Sequence, residues 1–316
     1  MRPQRDINRG NSPAARFSVA NLRGILLPFP TPFKTDGHFD ARALRAVLEM
    51  WNETGVKGYV ALGSTGERVH LNERESLKVI EAALEIVPET LSCIVGAGQQ
   101  GKQATIEEIR LLAEAGADAV LVITPHFYRA EMTQAALVNH YVAVAEAAPV
   151  PVLLYSVPQF TGVALQPETI ARLSEHENIV GVKDSSGDVL ALAETVRLVP
   201  DDFAVLTGNG SALYPALCAG AHGGILAVGC IAPLLAVEIY NAFQAADHER
   251  ARALQQKLTR VTRGILGRYG ISGLKAALDL LGYVGGHVRA PLQDAGEEAR
   301  REIAKVLREA ELLNLD

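Results

Sequence analysis

Cysteine is scarce in this chain of 316 residues, which contains three, Cys93, Cys218 and Cys230, and no CxxC pair. A disulfide framework or a cysteine-based metal motif is therefore not expected, and a reducing, cytoplasmic location is predicted. The eight histidines form no HxH or HExxH cluster, and no GxGxxG fingerprint follows the first predicted strand. We therefore expect neither a metal ion nor a nucleotide cofactor.

Long apolar runs and an excess of basic charge are lacking as well. No apolar stretch approaches the roughly 20 residues that cross a bilayer, so no membrane partner is expected. The 30 basic and 36 acidic residues give a formal net charge of −6. No basic stripe stands out among them, which argues against nucleic acid as a partner.

The middle of the chain alternates short apolar runs with longer amphipathic ones. Runs such as GYVAL and AVLVIT are continuous, as in parallel strands that are buried on both faces. Eight strand–helix units in a row predict an α/β fold, a (β/α)8 TIM barrel over residues 22–247. A doubly wound sheet is the alternative. The predicted strands are 24–29, 58–62, 92–97, 119–124, 152–155, 179–183, 203–207 and 224–228.

The two ends of the chain differ from this middle. Residues 1–21 are polar and arginine-rich and lack the apolar core of a secretory signal. They predict a flexible N-terminal extension, with a transit peptide as the alternative. Beyond about residue 247 the strand patterns stop, and helical patterns cover 250–269, 272–281 and 297–312. We therefore predict a small C-terminal helical domain over residues 248–316.

One lysine stands apart from the other seven. Lys183 closes the apolar strand IVGVK, whereas the others lie in helical or loop stretches, where a solvated charge is expected. Active sites of TIM barrels lie where strands end, so Lys183 would point into the barrel mouth. Desolvation there disfavours the ammonium form and leaves an amine that can attack a ketone to form a Schiff base. The structural alternative is a strand-end lysine that pairs with Asp184 or with the C-terminal carbonyls of a neighbouring element.

Two further strand ends carry candidate groups. Residues 63–67, GSTGE, combine two glycines with the hydroxyls of Ser64 and Thr65. This pattern is typical of a nest for a carboxylate or phosphate, or of a plain turn in which Glu67 caps the following segment. Tyr155 ends the fifth predicted strand. Its phenol suits proton transfer beside an amine, or simple packing at the barrel rim.

As a set, these strand ends resemble the dihydrodipicolinate synthase / N-acetylneuraminate lyase superfamily of class I pyruvate aldolases. The motifs GxTGE, YxxP and G-(V/I/M)-K stand here at 63–67, 155–158 and 181–183, in the family's order. The resemblance covers about residues 22–313. It implies a pyruvate-like 2-oxo acid as substrate and a homotetramer or homodimer as the assembly.

The resemblance also implies roles for individual side chains. Lys183 would form the imine, Tyr155 would relay protons, and Ser64 and Thr65 would hold the carboxylate of the 2-oxo acid. The stretches 154–158, 182–185 and 270–275 look most similar to 4-hydroxy-2-oxoglutarate aldolase of the animal mitochondrial type. In that group the serine two residues after the lysine lies at the site, which nominates Ser185.

The sequence departs from the lysine-pathway synthases where the second substrate is held. Those synthases carry an arginine two residues after the YxxP proline, and that position is Phe160 here. They also carry a relay tyrosine where Phe127 stands; the neighbouring His126 and Tyr128 either reach the site or pack at a subunit contact. Sialic-acid lyases place acidic residues after the seventh-strand glycine, Gly208, which here precedes an amide and a glycine.

The chain is therefore predicted to be a Schiff-base carbon–carbon lyase, and most closely a 4-hydroxy-2-oxoglutarate aldolase. Dihydrodipicolinate synthase or a sugar-acid dehydratase of the same superfamily is the alternative. A non-catalytic keto-acid-binding protein is the alternative from another class. The predicted catalytic residues are Lys183 and Tyr155, and the predicted substrate-binding residues are Ser64, Thr65, Ser185, Gly208, Phe160, His126 and Tyr128.

Overall fold

A closed barrel of eight parallel strands forms the centre of the computed structural model, which describes residues 17 and 19–313. The strands follow chain order around the barrel, and the first pairs with the eighth. The prediction of a TIM barrel is thereby confirmed. The strands are β1 (Gly24–Leu27), β2 (Gly58–Ala61), β3 (Ser92–Ala97), β4 (Ala119–Ile123), β5 (Val152–Ser156), β6 (Ile179–Asp184), β7 (Ala204–Thr207) and β8 (Gly223–Ile225).

Helices separate the strands, and polar side chains fix where several of them begin. The Asp40 carboxylate accepts hydrogen bonds from two backbone N–H groups at the start of the helix Ala41–Trp51, and Asn72 and Glu75 form a capping box at the start of the helix Glu73–Leu84. The helices of the barrel are α1 (Val19–Leu22), α2 (Ala41–Trp51), α3 (Glu73–Leu84), α4 (Lys102–Glu114), α5 (Gln134–Ala147), α6 (Pro158–Thr161), α7 (Pro167–Leu173), α8 (Val189–Leu198), α9 (Leu213–Cys218), α10 (Ala227–Ile231) and α11 (Pro233–Gln244).

Side-chain alternation along the strands divides the buried apolar residues into two clusters. The inner cluster fills the barrel and includes Leu26, Ile94 and Leu206, while the outer cluster lies between strands and helices. Phe17 and Val19 join the inner cluster. The rest of the predicted N-terminal extension, residues 1–16 and 18, lies outside the described residues.

The eighth strand is shorter than predicted. It ends at Ile225, and helix α10 begins at Ala227, so residues 227 and 228 of the predicted strand are helical. The segment AVGCI is a short buried apolar run, which looks the same in sequence whether it forms a strand or a buried helix. Gly229 lets α10 pack directly on β1, because a Cβ there would lie 2.6 Å from Leu27 Cδ2.

Three helices follow the barrel. They are α12 (His248–Val261), α13 (Gly267–Leu280) and α14 (Glu297–Glu309), with a π-helical turn at Thr262–Leu266 between the first two. Gly270 adopts φ 55° and ψ −138° inside α13, a conformation that favours glycine and kinks the helix. Across residues 17 and 19–313, no helix has both the length and the apolarity needed to cross a membrane.

Candidate active site

A bulge in β6 determines which way Lys183 points. Val152 pairs with Ile179, but the next residue, Leu153, pairs with Gly181, so Val180 is an extra residue in β6. Ile179 belongs to the outer cluster, and with strict alternation Lys183, four residues later, would share that outward face. The bulge reverses the alternation, so Lys183 points into the barrel.

Lys183 lies beside Tyr155 inside the mouth. The two residues are paired across β5 and β6, and both side chains are only 5% exposed. Lys183 Nζ lies 4.4 Å from the centroid of the Tyr155 ring. A cation over the negative face of a phenol ring is stabilised electrostatically, so Tyr155 both positions the amine and brings a hydroxyl close to it.

The Tyr155 hydroxyl connects this pair to the turn after β2. Tyr155 Oη and Ser64 Oγ share a hydrogen bond of 3.3 Å. Thr65, the next residue, is buried. The structure thus brings together the amine, the phenol and the Ser64 hydroxyl from three strand ends that are far apart in sequence, and Thr65 is the next residue along the chain from Ser64. These are the four residues for which the family resemblance implies roles.

The turn at 63–66 is held between two strained residues. Leu62 has φ 53° and Glu67 has φ 54°, both in the left-handed region that non-glycine residues rarely adopt. The Thr31 hydroxyl donates a 2.7 Å hydrogen bond to the Gly66 carbonyl. The suggestion that Glu67 caps the following segment was wrong, because its side chain makes no capping hydrogen bond there. Contacts other than a cap from the Glu67 side chain must therefore hold the turn at 63–66 in this conformation.

Gly208, which follows β7, lies close to both Lys183 and Ser185 at the end of β6. A Cβ at Gly208 would lie 1.9 Å from Ser185 Oγ and 2.9 Å from Lys183 Cε. The position therefore accepts glycine alone without displacing the lysine or the serine. Backbone hydrogen bonds fix both residues, from Ser185 N–H to the Ser156 carbonyl at 2.9 Å and from Gly208 N–H to the Asp184 carbonyl at 2.6 Å.

The neighbouring Asp184 does not pair with Lys183. Its carboxylate accepts hydrogen bonds from the Ser186 N–H at 2.8 Å and the Ser186 hydroxyl at 3.0 Å. Burial raises the pKa of Asp184, and the bonds from Ser186 partly offset that rise. Cys230 is also buried, and burial raises the pKa of its thiol although Lys183 acts in the opposite direction. The structural alternative of an ion pair between Lys183 and Asp184 is therefore not realised.

Three residues nominated from sequence lie on the rim of the mouth. Phe160 on α6 is 70% exposed. Tyr128 is equally exposed, and its ring lies edge-on to Phe127 with the centroids 5.1 Å apart. The His126 N–H donates to the side-chain oxygen of Gln100 at 2.8 Å. In the part of the chain that the structure describes, no hydrogen bond or ring contact joins these residues to Lys183 or Tyr155.

Sequence reasoning missed a buried ionic cluster next to the turn at 63–66. Lys275 on α13 was expected to be solvated, but its side chain is 2% exposed and lies 2.6 Å from Glu67 Oε1. Arg289 also contacts Glu67, through its backbone N–H at 3.0 Å. The sequence contains one indication of this cluster, a lysine on the apolar face of a helix, but this indication does not identify the residue that pairs with the lysine.

The described residues contain no group of three or more His, Cys, Asp or Glu side chains arranged to hold a metal ion.

Comparisons with known proteins agree with this architecture. The model of the dihydrodipicolinate synthetase family matches residues 21–310. The chain is 36% identical over 289 residues to a 4-hydroxy-tetrahydrodipicolinate synthase of Syntrophus aciditrophicus, an alignment that covers 90% of this chain and 97% of that protein. A synthase of the same name from Methanothrix thermoacetophila is 36% identical over 287 residues, covering 90% of this chain and 96% of that protein.

Solved structures give the same result. A dihydrodipicolinate synthase from Thermotoga maritima superposes with a TM-score of 0.88 at 33% identity, covering 92% of this chain and 99% of that one. A chloride-inhibited dihydrodipicolinate synthase from Acinetobacter baumannii, complexed with pyruvate, superposes with a TM-score of 0.88 at 31% identity, covering 92% and 99%. The chain belongs to the dihydrodipicolinate synthetase family and is a carbon–carbon lyase of the Schiff-base aldolase type.

Proposed function

We propose that Lys183 forms a Schiff base with pyruvate or a pyruvate-like 2-oxo acid. The observation that carries this proposal is the position of its amine, 4.4 Å from the Tyr155 ring centroid at the end of a barrel strand. The neutral amine attacks the C2 ketone, and the carbinolamine loses water to give a protonated imine. This imine withdraws electrons from C3, which permits a bond at C3 to form or break.

Ser64 and Thr65 are the proposed anchor for the carboxylate of the 2-oxo acid. They lie in the tight turn at 63–66, which the Gly66 N–H closes with a 3.0 Å hydrogen bond to the Gly63 carbonyl. The Ser64 hydroxyl is already joined to the Tyr155 hydroxyl at 3.3 Å. A carboxylate held there would present its adjacent ketone to Lys183, and such orientation contributes several kcal/mol in favourable cases.

Tyr155 is the proposed proton carrier. In the cleavage direction a base removes the proton of the C4 hydroxyl, the C3–C4 bond breaks, and an aldehyde leaves. The electron pair moves through the imine to give an enamine, which is then protonated at C3, and water releases the product from Lys183. The hydrogen bond between the Tyr155 and Ser64 hydroxyls offers the first step of a path along which such protons move.

For the second substrate we propose a short aldehyde acid, as in the cleavage of 4-hydroxy-2-oxoglutarate to pyruvate and glyoxylate. Phe160 stands where the lysine-pathway synthases carry an arginine, and a phenyl ring cannot pair with a carboxylate. Arg129, the residue after Tyr128, offers another cation. Its side chain packs over Gly162, where a Cβ would lie 3.1 Å from Arg129 Nη1, and we assign it to the distal carboxylate.

The second candidate is 4-hydroxy-tetrahydrodipicolinate synthase, which condenses pyruvate with aspartate semialdehyde. The names of the curated relatives, at 33–36% identity, support it more directly than they support the aldolase. The side chains at Phe127 and Phe160 argue against it, because neither supplies the hydroxyl or the charge expected there. Both candidates use the same imine, so the aldehyde alone separates them.

A homodimer or homotetramer is proposed as the assembly. Phe127 and Tyr128 form one exposed aromatic pair, and exposed apolar side chains grouped in this way are typical of subunit contacts. Sedimentation analysis of the wild type and of a Phe127→Ser, Tyr128→Ser double variant provides the test. We expect the variant to sediment as a smaller species, and an unchanged species would contradict this contact.

Two measurements test the enzymatic proposal. Borohydride reduction in the presence of pyruvate should add a reduced pyruvyl group to Lys183, which peptide mass spectrometry locates, and the Lys183→Met variant should remain unlabelled. A wild type without the adduct would contradict the imine. Product analysis with 4-hydroxy-2-oxoglutarate, and with pyruvate plus aspartate semialdehyde, then separates the two candidates. Robust condensation with the semialdehyde would overturn the argument from Phe160.

A further inference from the structure

Lys275 and Glu67 form a buried ion pair beside the turn at 63–66. The two side chains are 2% and 1% exposed. Lys275 Nζ donates to Glu67 Oε1 at 2.6 Å, to the Thr31 carbonyl at 2.7 Å and to the His287 carbonyl at 2.6 Å. An ammonium group has three protons, so each of them has an acceptor. The lysine is therefore held in one orientation.

The second oxygen of Glu67 is held as well. Glu67 Oε2 accepts a 3.0 Å hydrogen bond from the backbone N–H of Arg289 and lies 3.2 Å from His70 Nδ1. The Arg289 guanidinium in turn binds both oxygens of Glu75, at 2.7 and 2.9 Å. The segment around residues 287–289, which follows α13, is thereby tied to the start of α3.

These contacts act on Glu67, the last residue of the motif at 63–67. Glu67 comes two residues after Thr65, and its own N–H donates to the Ser64 carbonyl at 3.2 Å. Its φ of 54° is costly for a residue with a Cβ. Such a conformation persists when surrounding contacts determine it, and here those contacts come from Lys275 and Arg289.

A merely stabilising role would not require charges at this place. A buried ion pair loses about as much in hydration as it gains in attraction, and a well-packed apolar pair often stabilises a fold equally well. The ion pair does fix the orientation of the two side chains, because hydrogen bonds are directional and apolar contacts are not. Burial lowers the pKa of Lys275, and the attraction of Glu67 acts against that change.

We propose that Lys275 and Glu67 are positioning residues for the 2-oxo acid: they hold the turn at 63–66 so that Ser64 and Thr65 meet the carboxylate. This inference rests on the proposed carboxylate anchor. It makes the C-terminal helical region a support for the substrate site, although Lys275 lies 208 positions after Glu67. Neither residue touches the substrate itself.

The test measures how much pyruvate is needed to trap Lys183 with borohydride. Trapping is followed against pyruvate concentration in the wild type, in Lys275→Met, in Glu67→Gln and in the double variant Glu67→Gln, Lys275→Met. Arg300→Met is the matched control, since Arg300 on α14 pairs at 2.7 Å with Asp279, which lies on α13 like Lys275, and no hydrogen bond or ion pair among the described residues joins Arg300 to the turn. Circular dichroism confirms that each variant is folded at the temperature of the assay.

We expect Lys275→Met to raise the half-saturating pyruvate concentration at least tenfold, while the fraction trapped at saturation stays close to that of the wild type. The double variant should also need a higher half-saturating pyruvate concentration than the wild type, because the hydrogen bonds are missing even though no charge is left unpaired. Arg300→Met should match the wild type. This division between half-saturation and maximum is not the result of a general loss of stability, which would lower the trapped fraction at every concentration.

Several outcomes would overturn the proposal. One is a folded Lys275→Met protein whose half-saturating pyruvate concentration equals that of the wild type. Another is a double variant that recovers the wild-type half-saturating concentration, because the effect of Lys275→Met would then come from the unpaired charge of Glu67 alone. If Lys275→Met does not fold, Glu67→Gln decides the question: an increase of threefold or more supports the proposal, and no increase contradicts it. A wild type that is never trapped would instead contradict the proposed function.

Discussion

The two sides of the barrel mouth are built differently. On the inner side Lys183, Tyr155 and Thr65 are buried, and backbone pairing or hydrogen bonds fix their surroundings. On the rim Phe160, Phe127 and Tyr128 are each at least 70% exposed. The inner side is thus rigid before a substrate arrives, whereas the rim has few contacts of its own within one chain.

This difference indicates which part of the reaction the fold determines. A buried, fixed inner side is suited to one small common substrate, because orientation there is obtained in advance. An exposed rim can change its side chains at little cost to the core, and loops at the C-terminal face of TIM barrels vary in this way. We therefore expect substitutions on the inner side to abolish the reaction and substitutions on the rim to redirect it.

Replacing the amine should have the largest effect. Lys183→Arg keeps the positive charge but has no amine that can form an imine, so we expect pyruvate trapping to disappear and turnover to fall by about 10⁴-fold or more. Mass spectrometry after borohydride treatment and a steady-state assay measure the two quantities. Trapping on another lysine in this variant would show that the inner side has been assigned to the wrong residue.

Removing the phenol hydroxyl should have the next largest effect. Tyr155→Phe keeps the ring beside Lys183 and removes only the proton carrier, so we expect turnover to fall by about 10²- to 10⁴-fold. Tyr59→Phe is the matched control, because it removes the hydroxyl of a buried tyrosine in the outer cluster, which donates to Asn52 Oδ1 at 2.8 Å. Equal activity in both variants would argue against Tyr155 as the relay.

A methyl group at Gly208 should have an intermediate effect. Its Cβ would lie 1.9 Å from Ser185 Oγ and 2.9 Å from Lys183 Cε, so Gly208→Ala must displace one of them. We expect turnover to fall by about 10- to 100-fold through misorientation of the amine. Gly101→Ala is the control, since nothing lies within 4 Å of a Cβ there. Full activity in Gly208→Ala would mean that the strand end is looser than the structure indicates.

A charge on the rim should have the smallest effect and change preference more than rate. Phe160→Arg restores the cation that the lysine-pathway synthases carry at this position. We expect the ratio of specificity constants to shift by about tenfold towards aspartate semialdehyde, the value of one charge-assisted contact of about 1.4 kcal/mol. Phe160→Leu serves as the control. An equal shift in both variants would mean that the lost ring, and not the new charge, is responsible.

Much of the inner side was predictable from sequence because it depends on local patterns. Continuous apolar runs predicted the strands, and a barrel places successive strand ends together. A polar residue at the end of an apolar run, such as Lys183 or Tyr155, is therefore a site candidate on its position in the pattern alone. The family motifs then selected Ser64 and Thr65 from many other hydroxyls.

The remaining features depend on contacts that no local pattern contains. Val180 continues the apolar run of β6, and only pairing with β5 reveals it as a bulge. The sequence of α10 is apolar enough to form a strand, and its packing on β1 decides otherwise. Lys275 looked like a solvated helical lysine because its partner, Glu67, is far away in sequence. Burial of this kind arises from tertiary contacts, which a pattern of neighbouring residues does not encode.

The contact between Glu67 and Lys275 also bears on the order in which the protein becomes active during its synthesis. The turn at 63–66 leaves the ribosome early, and β8 can close the barrel once residue 225 is available. The contact that fixes the turn must wait for residue 275, because the N-terminal parts of a chain fold first as it is made. With the proposed roles of Lys183 and Lys275, a nascent chain would contain its imine-forming amine before it could bind a keto acid, and it would become active only after α13 has folded.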